Sequence, residues 1–163
     1  MRTRAAVLIV VSAALLTACG SSGSSPAGDA RQNAAKWYAS GGDVKISALA
    51  SATHSVLSGI DAMDSGGYSQ IGLTNLTTRC VVLADKVRDA QAYAPFPEEK
   101  TQYSWSAALG QLDQGASACR DAVTARGDVR VAVRASESTL TSGLTNLKAV
   151  LEAVGTPTAS PAP

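Results

Sequence analysis

Apolar residues recur along this chain at alternating steps of three and four, the spacing that gathers them on one face of an α-helix. Four such stripes follow one another. Ile46, Leu49, Thr53, Val56, Ile60 and Met63 form the first, and Leu73, Leu76, Cys80, Leu83, Val87 and Ala90 the second. Trp105, Leu109, Leu112, Ala116, Cys119 and Val123 form the third. Val133, Leu140, Leu144, Leu147, Leu151 and Val154 form the fourth, with Glu137 interrupting it. The punctuation between stripes fits helix ends. Asp43, after two glycines, reads as an N-cap; Ser65-Gly66-Gly67 reads as a stop, Pro95 as a second stop and Pro97 as a first helical residue. Gly127-Asp128 reads as an end followed by a cap, and Gly155 with Pro157 closes the last helix. A shorter helix from Asp29 to Ala39 brings Trp37 and Tyr38 as a lid on one end.

Short connections make consecutive helices antiparallel, so the expectation is an all-α fold: an antiparallel four-helix bundle with a short N-terminal helix, over residues 29–154. Val129, Val131 and Val133 alternate with a period of two, which also suits a strand. The helical stripe downstream and the lack of a partner strand favour helix.

Ahead of the stripes lie Arg2 and Arg4, an apolar run from Ala5 to Leu16, and the small residues Thr17 and Ala18 before Cys19. This is the three-part layout of a secretory signal. About a dozen apolar residues fall short of the roughly 20 needed to cross a bilayer as a helix. Leu16-Thr17-Ala18-Cys19 resembles the lipobox of bacterial lipoproteins. That resemblance implies cleavage after residue 18, a diacylglyceryl group on Cys19, and a chain held by its lipid on the extracytoplasmic face of the cell membrane. Each buried methylene contributes about 0.8 kcal/mol, and two chains together give stable anchoring. Residues 19–28, rich in Gly and Ser, read as a flexible tether. A random coil of that length has a typical span of about 16 Å. Residues 155–163, rich in Thr, Ser, Pro and Ala, read as a disordered tail.

With Cys19 assigned to lipid, Cys80 and Cys119 remain as an even pair in a compartment where disulfides persist. Each lies on the core stripe of one of two consecutive helices, so an interhelical disulfide is expected, worth about 4 kcal/mol in the chain-entropy model. One mismatch accompanies it. Cys80 stands nearer to Pro95 along the chain than Cys119 does to Pro97. The difference is about 10 Å of helix, so the third helix must overhang or begin late. No Cys-x-x-Cys spacing points to redox catalysis.

Removing residues 1–18 takes away two arginines and no acid, leaving 12 basic residues against 13 acidic. Near-neutral, interspersed charge gives no field for nucleic acid. Catalysis finds few candidates. His54 is the single histidine; with Asp61 it offers two ligands where catalytic zinc takes three protein ligands. The carboxylate pairs Asp61 and Asp64, Asp85 and Asp89, and Glu98 and Glu99 read as solvated helix faces and helix-start charge. No catalytic residue, metal site or cofactor is expected.

The one unusual local composition runs from Tyr93 to Trp105 in a chain with 4% aromatic residues. Phe96, Tyr103 and Trp105 are candidates for a docking surface or pocket mouth, but a corner in which Phe96 and Trp105 cap the core is the favoured reading. The arrangement Pro95-x-Pro97, Trp105 and Cys119 loosely resembles small exported actinobacterial lipoproteins, a resemblance that implies no activity. The expectation is a non-enzymatic binding or structural module of the cell envelope. Its partners are the membrane, through Cys19, and an envelope protein. A small apolar ligand carried in a bundle cavity is the alternative.

Overall fold

The computed structural model describes residues 26–124 and 128–155. The leader 1–18, Cys19, the tether as far as residue 25, Gly127 and the tail beyond Gly155 lie outside the described residues. The chain folds into α1 (Pro26–Trp37), a π-helical turn (Tyr38–Gly42), α2 (Asp43–Gly66), α3 (Gln70–Gln91), α4 (Glu99–Thr124) and α5 (Val129–Val154). Helices α2 to α5 form the antiparallel four-helix bundle, and α1 lies across one end. No strand occurs among the described residues, and Val129, Val131 and Val133 lie in the first turns of α5. Helix α1 starts at Pro26, inside the stretch read as tether; a fixed φ suits proline to a first helical position.

Several ends follow the local chemistry expected of them. The Ser69 hydroxyl accepts from Gly72 N at 3.1 Å to begin α3, and the Asp128 carboxylate accepts from Arg130 N at 2.9 Å to begin α5. Gly67 and Gly155 take positive φ to end α2 and α5. Two starts differ from expectation. Asp43 caps nothing, because its own N–H already bonds the Tyr38 carbonyl in the π-helical turn and leaves no open helix end there. Helix α4 begins at Glu99 instead of Pro97, since the Glu98 carboxylate accepts from Lys100 N at 2.9 Å and Thr101 N at 2.8 Å. It accepts from the Thr101 hydroxyl as well.

Each bundle helix buries a heptad-like series. Ile46, Leu49, Thr53, Val56, Ile60 and Met63 are buried on α2, and Leu76, Cys80, Leu83, Val87 and Ala90 on α3, as the stripes predict, while Leu73 at the head of the second stripe is only partly buried. The Thr53 hydroxyl is satisfied within its own helix by the Leu49 carbonyl at 2.7 Å. On α4 and α5 the buried series differs from the apolar stripe by one position in places. Ala108, Gly115 and Ala122 are buried on α4 along with Leu109 and Ala116, while Val123 is only partly buried. On α5 the series is Val133, Ser136, Leu140, Gly143, Leu147 and Val150. Ser136 takes the place that Glu137 interrupts in the stripe, and its hydroxyl bonds the Val133 carbonyl.

Small residues make the α4–α5 seam tight. A Cβ on Gly115 would meet Leu140 Cδ2 at 2.6 Å, and one on Gly143 would meet Leu112 Cδ2 at 2.6 Å. The two contacts are reciprocal across the antiparallel pair, each leucine covering the other helix's glycine. Cys80 and Cys119 are joined, with Cα atoms 6.2 Å apart, between α3 and α4.

That bridge fixes the level of the two helices and resolves the mismatch in the sequence. Measured from the disulfide toward the same end, α3 stops at Gln91, whereas α4 reaches back as far as Glu99. At the rise per residue of an α-helix, α4 overhangs α3 by about 13 Å. Residues 92–98 climb that step, and α1 occupies the space left above the short helix.

Candidate functional site: the end of the bundle beneath α1

The overhang creates a shelf, and Trp37 fills it. Its ring lies 4.8 Å from Phe96 and 5.4 Å from both Tyr93 and Trp105, centroid to centroid. Its Nε1–H donates to the Ala94 carbonyl at 2.8 Å, tying α1 to the climbing segment. The Ser40 hydroxyl donates to the Trp37 carbonyl at 3.0 Å and pairs with the Tyr93 hydroxyl at 2.9 Å. Two glycines make this possible. Gly41, at φ 127°, turns the chain from α1 into α2, and a Cβ on Gly42 would lie 2.3 Å from the Trp37 ring.

Of the three aromatic residues picked out in the sequence, two are core. Phe96 is 4% exposed and Trp105 2%, both packed on Trp37, so neither offers a docking surface. The overhanging shelf turns them inward, because an apolar ring at a helix end is covered once another element lies over it. Tyr103 stands apart at 79% exposure, facing away from the ring cluster beside Glu98, Glu99 and Lys100. His54 and Asp61 are both exposed on α2, and among the described residues no polar side chain from another helix is bonded to either. Among the described residues no group of three or more His, Cys, Asp or Glu is placed to hold a metal. No described helix is long and apolar enough to cross a membrane.

Beside the ring cluster the helices leave an open cleft of about 760 Å³ between α1, the first turns of α4 and the last turns of α5. Ala30, Ala34, Phe96, Thr101, Ala149 and Ala153 supply most of its apolar wall. Arg31, Lys100, Glu98 and Glu152 stand around it. Hydrogen bonds from the Thr101 hydroxyl and from the Thr101 and Lys100 amides hold the Glu98 carboxyl below its ordinary value, and the Lys100 charge adds to the effect. The sequence carried little signal for this cleft. Alanines on opposing helices are silent in an apolar stripe, and only the step between α3 and α4 tells where α1 must lie.

No known protein family, no curated protein and no solved structure matches this chain. Its own residues are therefore what speak for its function.

At the opposite end of the bundle the connections are polar. The Tyr68 hydroxyl donates to Asp64 Oδ1 at 2.7 Å, and the Arg134 guanidinium reaches Asp64 Oδ2 at 2.8 Å. Arg130 lies over the Tyr68 ring, 5.4 Å from its centroid. The Tyr68 bond, then the Arg134 charge, holds the Asp64 carboxyl below its ordinary value. Burial and the same bond push the Tyr68 hydroxyl up. This cluster pins the corner between α2 and α3 to the first turns of α5.

Proposed function

We propose that the chain is a membrane-anchored lipoprotein on the extracytoplasmic face of the cell envelope, acting there as a non-enzymatic binding or structural module. The observation that carries the reading is Leu16-Thr17-Ala18-Cys19 at the end of a short apolar run behind Arg2 and Arg4. Two further observations support it. A disulfide joins the other two cysteines, in keeping with an oxidising compartment. The described helices begin at Pro26, seven residues beyond Cys19, which leaves a short Gly/Ser-rich connection between lipid and fold.

Mass spectrometry of the mature protein is the direct test. The expected product begins at an acylated Cys19, and Cys19→Ala moves the protein from the membrane to the soluble fraction. A Cys19→Ala protein still held in the membrane overturns the proposed anchor. A second reading, a carrier of small apolar ligands, draws support from the cleft beside α1. The core stripes of α2 to α5 are closely packed, so in this reading the ligand site sits at the bundle's end instead of within it.

A further inference from the structure

We propose that the cleft between α1, α4 and α5 binds a single-chain fatty carboxylate, its hydrocarbon along the alanine-lined wall and its head group on Arg31. The proposal deepens the carrier reading and rests on the anchoring reading for the ligand's source.

The shape comes first. At about 760 Å³ the cleft falls within the range of roughly 300–1,000 Å³ found for small-molecule sites. It runs on past Glu152 and Ala153 into a second open cleft of about 630 Å³, lined by Gln32, Ala35 and Val154. Arg31 lines both. An elongated slot with alanines on facing helices suits a narrow, flexible hydrocarbon chain better than a broad ring system.

The charges then select the head group. Both carboxylates around the cleft are occupied: Glu98 by the donors of its own helix turn, and Glu152 by Lys148 at 4.0 Å. Lys100 lies close enough to Glu98 to depress its pKa. Neither Arg31 nor Lys100 has a side-chain hydrogen bond or ion pair among the described residues, and of the two only Arg31 lines both clefts. A guanidinium presents paired N–H donors that match a carboxylate in bidentate geometry.

Among residues 29–37 only Ala34 and Trp37 are buried. The hydrogen bonds that fasten α1 come from Trp37 and from the turn that follows it. The helix is thus fastened through its last turn, at Ala34 and Trp37 beside the Gly41 turn, and its exposed earlier residues leave the cleft open along its length. Even fully extended, the chain between Cys19 and Ala30 reaches at most about 40 Å. In the anchored protein the cleft therefore stays near the bilayer surface, where single-chain amphiphiles partition.

The test is a titration of cis-parinarate, a fluorescent 18-carbon carboxylate, into the purified, oxidised full chain carrying Cys19→Ala. Saturable binding is expected, displaced by palmitate. Potency should rise about two- to fourfold per methylene from decanoate to palmitate, as apolar burial requires. Arg31→Ala should weaken palmitate about tenfold and leave methyl palmitate unchanged. Ala149→Phe with Ala153→Phe, both at exposed positions, should abolish binding without lowering the melting temperature. No saturable binding, a flat chain-length series, equal effects of Arg31→Ala on acid and ester, undiminished binding in the doubly filled variant, or tighter binding of a diacyl phospholipid than of palmitate would each overturn it. Any of these failures leaves Cys19 acylation and membrane retention standing. A chain that binds palmitate yet lacks acylation would retain the site and lose the anchor.

Discussion

The two ends of this bundle are held by different physics. Beneath α1, three aromatic rings pack around Trp37, and the contacts that fasten the cap are burial and a hydrogen bond to a backbone carbonyl. Toward the other end, the fastenings are a disulfide five residues short of the α4 terminus and the Asp64, Tyr68 and Arg134 cluster. Apolar burial is indifferent to redox state and protonation and is not screened by salt, whereas a disulfide responds to reductant and a carboxylate cluster to screening and protonation. The ring cluster beneath α1 is therefore expected to keep its form under reduction, while the Lys45–Asp89 pair and the Glu98 cap at the same end respond to salt and acid as the far cluster does.

Trp37→Ala should break that contrast most severely. Deleting a buried tryptophan costs about 3–5 kcal/mol. Here it should also release α1, so that amides of residues 29–36 lose protection from hydrogen exchange while those of α2 to α5 keep theirs. Retained protection across α1 would show that the ring cluster is not what fastens it.

Next in size is the disulfide. Cys80→Ala with Cys119→Ala removes a cross-link spanning 39 residues, which the chain-entropy model values at about 4 kcal/mol, with measured effects from about 0 to 5. Chemical denaturation should show the loss with helical circular dichroism retained, and added reductant should destabilise only the parent protein. Exchange protection should fall first in the last turns of α4, ahead of the ring cluster.

Smallest is the polar cluster. Asp64 has its folded-state pKa depressed below 3.8, so its contribution is present above that value and is lost as pH falls through the lower folded-state value. Tyr68→Phe removes the largest cause of that depression and should move the Asp64 titration back toward 3.8, read from its carboxyl carbon shift by NMR. An unmoved titration would assign the depression to Arg134 instead. The stability change should be smaller than for either of the other variants.

How far the sequence revealed this molecule depended on residue size. On α2 and α3 large apolar side chains mark the buried face, and the stripes there coincide with the core except at Leu73, which is only partly buried. On α4 and α5 the closest approaches come at Gly115 and Gly143, with Ala108 and Ala122 buried beside them, and such small residues carry little signal in an apolar stripe. Leu109 and Val123 therefore drew the α4 stripe toward the edge of the buried face. Phe96 and Trp105 were conspicuous for their rarity, yet whether a ring at a helix end faces solvent depends on what lies over it. A lid helix carrying Trp37 was legible in the sequence, but which end it covers is a long-range fact that no local pattern contains. Arg31, Ala149 and Ala153 were missed for the same reason: they come together only once α1 crosses α5.

The step in level between α3 and α4 has an evolutionary corollary. Two more turns on α3 would complete a flush bundle and evict the chain's own first helix, erasing the aromatic nest and the alanine slot in one insertion. In this protein a shortfall of helix in one strut makes room for the feature that distinguishes it, so length changes between Gln91 and Glu99 are where descendants of this fold would gain or forfeit the slot.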